Sequence, residues 1–162
     1  MSVSRSTGSI NQEGFLNNLD KKGFNITKSL CELYSNSIDA NAKNIISINT
    51  NDHTIIIDDG DGMNENNIKN MFDFYKENHI GDRSIGISGI GAKAALKKLS
   101  HNRNCEILTK KVGESGYKIS VPWKQIMETK QYIDMIKYKP FTSNDIEDFK
   151  KYSKILNYDC IL

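Results

Sequence analysis

Apolar positions along the chain follow two periods, one helical and one alternating. Phe15, Leu16 and Leu19 predict a short helix that stops before Gly23. A second helix is expected from about Thr27 to Asn41, with Thr27 as its N-cap. Two isoleucine-rich strands follow, at 45–48 and 54–57, joined by a turn at Asn51 and Asp52. The second strand ends in Asp58-Asp59-Gly60-Asp61-Gly62, which cannot continue it. Asn64 then caps a helix in which Ile68, Met71, Phe72 and Tyr75 recur at helical spacing.

Residues 76–88 are polar and glycine-containing and read as a mobile loop. A helix at about 90–100 carries Ala92, Ala95, Leu96 and Leu99 on one side. Residues 104–111 and 116–121 predict an antiparallel pair around a turn at 113–116. Pro122 opens a helix expected from Trp123 to about Tyr138, and Pro140 breaks it. A last helix is expected at about 144–156, and residues 159–162 read as the start of a strand. Helices and hairpins interleave without a βαβ rhythm. The expected class is therefore α+β, with helices on one face of a mostly antiparallel sheet.

A chain of 162 residues suits one domain, here expected over 11–162 behind a polar arm at 1–10. Twenty-two basic against 20 acidic residues leave a formal charge of +2, which argues against direct nucleic-acid binding by this domain. No apolar run approaches the roughly 20 residues that span a bilayer. The start, MSVSRSTGS, has no apolar h-region. Cys31, Cys105 and Cys160 lie far apart, so neither a disulfide framework nor a zinc site is indicated. The expected location is a reducing, intracellular compartment, cytoplasmic or nuclear. His53, His79 and His101 are isolated and read as surface or turn residues.

Three segments carry candidate chemistry. On the second helix, Glu32, Asn36 and Asp39 fall within about 60° of one another. Leu30, Cys31, Leu33, Tyr34 and Ile38 are expected to bury the rest of that helix. The stripe joins a base, an amide and an acid, contains no lysine, and ends in small Ala40 and Ala42 that let a ligand approach. Next, Asp58 ends an isoleucine strand. Turn chemistry alone accounts for such residues, and DGDG is similar to a calcium loop. With Gly62 at its sixth position, however, Ile57 and Ile68 would stand where that loop needs carboxylates. A carboxylate there can instead accept from an exocyclic amine, while Gly60 and Gly62 leave room for a flat ring. Third, Gly86-Ile87-Ser88-Gly89-Ile90-Gly91-Ala92-Lys93 leads into a helix N-terminus, which favours phosphate. It is not a P-loop, because Ala92 precedes Lys93 and no Ser or Thr follows. No strand precedes Gly89 as a dinucleotide fold requires.

In order, the three give ELYSNSIDA, DDGDGM and GISGIGAKAA. In combination they resemble the GHKL ATPase domain, the Bergerat fold of DNA gyrase B, MutL, histidine kinases and the ninety-kilodalton heat-shock chaperone. The likeness runs from about Gly14 to Tyr117. NSIDANAKNI is close to the MutL-type box, and GISGIGAKAA is closer to chaperone and MORC-like members.

The resemblance implies a two-layer α/β sandwich with helices over a mostly antiparallel mixed sheet. It implies ATP or ADP as ligand, Mg²⁺ as cofactor, and hydrolysis coupled to conformational change or homodimerisation. Glu32 would be the general base and Asn36 the Mg²⁺ ligand. Asp58 would take the adenine amino group, with Gly60, Gly62 and Met63 beside the ring, and Asp39 and Ala40 would also belong to the nucleotide site. Gly86, Ser88, Gly89, Ile90, Gly91 and Ala92 would meet the phosphates, Lys93 would do so by the MORC-like version of the box, and 76–88 would be the ATP lid. Two departures stand out. The final YDCIL lacks the family's late Gly-Thr element, and no following domain supplies a basic residue for the γ-phosphate. Three expectations stay open: the C-terminal end is truncated and a downstream domain supplies that charge, a protein partner supplies it, or the chain binds ATP and hydrolyses it slowly. Two other readings stay open: a non-catalytic nucleotide-sensing or interaction module, and a histidine-kinase-type catalytic domain.

Overall fold

The structure, a computed structural model, describes residues 11–73 and 90–156. The expected arm, Tyr75, the 76–88 loop with Gly86 and Ser88, Gly89 and the strand at 159–162 lie outside the described residues.

Helix α1 (Gln12–Lys21) starts at Asn11, whose side chain accepts from the Gly14 amide at 2.7 Å. It buries Phe15, Leu16 and Leu19, as its spacing requires. Helix α2 (Ile26–Asp39) is capped by Asn25 and not by Thr27. The extended Asn25 backbone aims its side-chain oxygen at the Lys28 amide, 2.7 Å away, and Thr27 is already inside the first turn. Strands β1 (Ile45–Asn49) and β2 (Thr54–Asp58) form an antiparallel hairpin in which Ile45 faces Asp58 and Asn49 faces Thr54. Helix α3 (Glu65–Phe72) opens with a capping box between Asn64 and Asn67, which satisfies two otherwise unpaired amides.

Helix α4 (Ile90–Leu99) packs lengthwise against α2. It is buried almost all round, not on one side only. Ala92, Lys93, Ala94, Ala95 and Lys97 are all inside. Strands β3 (Asn104–Lys110), β4 (Gly116–Pro122) and β5 (Lys137–Pro140) form a second antiparallel sheet. Helices α5 (Trp123–Thr129) and α6 (Ser143–Leu156) complete the described elements. The result is an α+β arrangement. Among the described residues its ladders are all antiparallel and fall into two sheets, β1-β2 and β3-β4-β5.

The helix expected from Trp123 to about Tyr138 ends at Thr129. Lys130 takes a left-handed conformation, φ 57° and ψ 24°, and terminates it. The Gln12 side chain then accepts from the Tyr132 and Ile133 amides at 2.6 and 2.9 Å, which holds this connection against α1. Tyr138 pairs with Ile119 in the resulting β5–β4 ladder and meets Tyr117 edge-on. The alternation Lys137-Tyr138-Lys139 is a strand signal that the two bracketing prolines obscure.

One core serves the molecule. Phe15, Leu16 and Leu19 of α1 meet Ile68 and Phe72 of α3, Ala94 of α4, Ile119 and Val121 of β4, Trp123 and Ile126 of α5, and Tyr132. The ion pair between Lys97 and Asp20 ties α4 to α1 beside it.

Candidate functional site

Helix α2 is the spine of the site, although it is not buried as its apolar residues suggested. Cys31 is exposed and Ile38 is 61% exposed, while the residues wholly inside are Ser29 and Ser37. The inward face runs Ser29, Leu33, Ser37 at intervals of four. Small side chains there bring the helix close to its neighbours. The Ser37 hydroxyl lies 3.0 Å from Asp58 Oδ2, to which it donates, and 3.2 Å from the Leu33 carbonyl.

The three aspartates after β2 divide three tasks. Asp58 stays exposed, with Ser37 on one carboxylate oxygen and the Gly60 amide donating to the other at 3.0 Å. Asp59 accepts from the Asn44 amide at 2.8 Å, the Asn44 side chain at 2.8 Å and the Lys43 amide at 2.7 Å. These bonds, those from Asn44 foremost, hold its carboxyl below the usual range. Asp61 is tied to the end of α2, since its amide donates to the Ala40 carbonyl at 2.7 Å and its carboxylate accepts from Asn41 at 2.6 Å.

The glycines of this loop answer to the protein backbone. A Cβ on Gly60 would stand 2.9 Å from the Ala40 carbonyl oxygen and 2.9 Å from Asp58 Oδ1. Gly62 has φ +70°, and a Cβ there would run into the Lys110 carbonyl. Next along, the Met63 amide donates to the buried Thr109 hydroxyl at 2.8 Å, so β3 holds the loop from the far side.

Further back along the spine, Glu32 in the middle of α2 and Asn36 are half-buried one turn apart, and Asp39 is exposed at the last turn. The Glu32 carboxylate lies against Gly91 in the first turn of α4, and a Cβ on Gly91 would come within 2.6 Å of its Cδ. Ile90 and Ala92 flank that contact, half-buried and buried. Lys93 leaves α4 about 200° round from Gly91, away from this face. Burial pushes its ammonium down to about 8, partly opposed by Asp73. The fold thus joins Glu32 to the start of α4, Ser37 to Asp58, and Ala40 to Gly60, over about 12 Å of one helix. It does not bring Lys93 to the Glu32 side.

A model of the histidine kinase-, DNA gyrase B- and HSP90-like ATPases matches residues 24–154. The chain belongs to that family. The matched span takes in every described residue of this site, and members of this GHKL-type ATPase family bind ATP. No curated protein matches the chain at a significant level. No described helix of this GHKL-type chain is long and apolar enough to cross a membrane.

Sequence reasoning missed two residues of the site. Ser37 offered only its place inside the NSIDA segment, because the apolar residues of α2 pointed to a different inward face. Thr109 had no comparable signal, because threonine is at home in a strand.

One described residue, Asn36, fits the metal that the family uses. Magnesium prefers a few hard oxygen donors and keeps its waters, so an Asn36 amide oxygen with substrate phosphates suits it. Among the described residues no cluster of three or more His, Cys, Asp or Glu forms a protein-only cage.

Proposed function

We propose that this chain binds ATP along α2 with Mg²⁺ and hydrolyses it slowly. The single observation that carries the reading is the contact of the Glu32 carboxylate, midway along α2, with the first turn of α4, on the helix whose C-terminal part holds Asp58 through Ser37. One helix thereby borders an amine acceptor near its C-terminal end and carries, near its middle, a base beside the first turn of α4.

In this reading Asp58 accepts from the adenine amino group, with Gly60, Gly62 and Met63 as the wall of the base pocket. Asp39 and Ala40 close that wall at the end of α2. The amides of Ile90, Gly91 and Ala92, at the positive end of α4, face the phosphates. Gly86, Ser88 and Gly89, just before that turn in sequence, are proposed as further phosphate contacts, as is Lys93 by the MORC-like version of the box. Asn36 would hold Mg²⁺, which would supply neutralisation of phosphate charge. Glu32 orients the attacking water and takes its proton. The nucleotide state is coupled to conformational change or dimerisation.

Titration calorimetry with ADP, ATP and a non-cleavable analogue in the presence of Mg²⁺ tests this. A saturable heat of association is expected, with free phosphate released from ATP over hours. No heat with any of the three would remove the reading.

A further inference from the structure

The polar stripe of α2 does not stop at Glu32. One turn back toward the N-terminus, Lys28 falls about 40° round and about 6 Å along the axis from Glu32, on the side of Asn36 and Asp39. A helix dipole favours acids in the first turn, so a lysine there stands against that preference. The Lys28 ammonium donates to the Lys22 carbonyl at 3.1 Å and lies 4.8 Å from the centre of the Phe24 ring, which places it at the junction of α1 and α2. Lys21 and Lys22 close α1 at the same junction. With Phe15, Asn18 and Ile90 they line a cavity of about 250 Å³. The first turn of α4 is therefore bordered by Glu32, at Gly91, and by the two lysines of α1, at Ile90.

These ammonium groups are uncompensated. Asp20, beside them in sequence, is taken by the buried Lys97. Glu32 lies against Gly91. Among the described residues Lys21, Lys22 and Lys28 form no ion pair with a carboxylate. Like charges gathered at one junction disfavour one another, and an anion between them relieves this. The proposed site supplies the direction from which one arrives. Its base acceptor, Asp58, is held by Ser37, and Glu32 lies about 7.5 Å nearer the N-terminus of α2 than Ser37 does. A nucleotide laid from Asp58 past Glu32 points its last phosphate toward Lys28.

We infer that Lys28, with Lys21 and Lys22, forms a subsite for the terminal phosphate of a nucleoside triphosphate, so that the first two helices of this chain supply in cis the positive charge that phosphate needs. This rests on the proposed nucleotide site, and the experiment separates the two.

Calorimetry on the whole chain with Mg²⁺ compares ADP with a non-cleavable ATP analogue. The proteins are the wild type, the triple variant Lys21→Gln, Lys22→Gln, Lys28→Gln, the single variant Lys28→Arg, and a control with Lys150, Lys151 and Lys154 of α6 changed to Gln. All six lysines are exposed, so thermal midpoints are expected to stay level. The wild type binds the analogue about tenfold more tightly than ADP, the share of a charged contact. The triple variant brings that ratio near one while ADP affinity stays within about twofold. Lys28→Arg, which keeps the charge, and the α6 control both retain the wild-type ratio. An unchanged ratio in the triple variant, equal weakening of both ligands, or the same narrowing in the α6 control overturns the inference and leaves nucleotide binding standing. A wild type that binds neither ligand overturns the nucleotide site itself, and the subsite with it.

Discussion

Asp58 and Asp59 are adjacent in sequence and opposite in use. Asp59 fills its acceptor sites with the Lys43 and Asn44 amides and serves the backbone, while Asp58 keeps an exposed face. Glu32 is likewise set by one neighbour, since its carboxylate occupies the space that any side chain at Gly91 would need. Separate roles for the two acids give separate phenotypes. Glu32→Ala is expected to keep ADP affinity within about twofold and to lower hydrolysis by roughly 10²–10⁴-fold, the usual share of general base catalysis. Asp58→Asn is expected to weaken ADP by about tenfold or more, because one charged acceptor becomes a neutral amide. Calorimetry and phosphate release on both variants check this. Equal loss of binding in the two would contradict the assignment.

Elements meet in this protein through residues too small to keep them apart. Gly60 touches Ala40 at the end of α2, Gly62 touches the end of β3, and Gly91 touches α2. The loop after β2 is thus clamped between α2 on one side and Thr109 on the other. Gly62→Ala tests the clamp. The left-handed backbone alone costs about 1–2 kcal/mol for a residue with a Cβ, and contact with the Lys110 carbonyl adds to it. A fall in the urea midpoint is expected, with a parallel loss of ADP affinity as Met63 shifts. A variant with wild-type stability would show that β3 does not confine the loop. The buried lysines of α4 belong to this scale as well. Lys97 meets Asp20, whereas Lys93 sits where its charge is disfavoured, with a shift down to about 8.

For the molecule as a whole, the second sheet and the last helix are joined by charge. Lys118 on β4 lies 3.0 Å from Glu106 and 3.4 Å from Asp145 at the start of α6. The Asp145 carboxylate also accepts from the Thr142 hydroxyl at 2.6 Å and the Thr142 amide at 2.9 Å. Those bonds, with the Lys118 pair behind them, hold its pKa down from 3.8 to about 2. A depressed carboxyl binds protons more weakly folded than unfolded. Its contribution is therefore full above pH 3.8 and disappears as pH falls toward 2. Urea midpoints followed from pH 7 to pH 2 are expected to be level at first and to drop below pH 4. Asp145→Asn is expected to start lower and to drop less over the same window. Parallel curves for the two proteins would remove Asp145 from the acid response.

Most helix and strand positions, the Asn64 cap and the two hairpins were legible in the sequence itself, because each depends on residues a few places apart; the end of α5 and the strand β5 were not. Asp58 at a strand end and Glu32 with Asn36 on one helix face were legible for the same reason. Tertiary structure alone decided the rest. Ser37 finds Asp58 across 21 positions, Met63 finds Thr109 across 46 and Lys97 finds Asp20 across 77. The swap of serine for leucine and isoleucine on the inner face of α2 has the same origin: which stripe of a helix faces inward depends on how closely its neighbours approach, and a local period carries no measure of that distance.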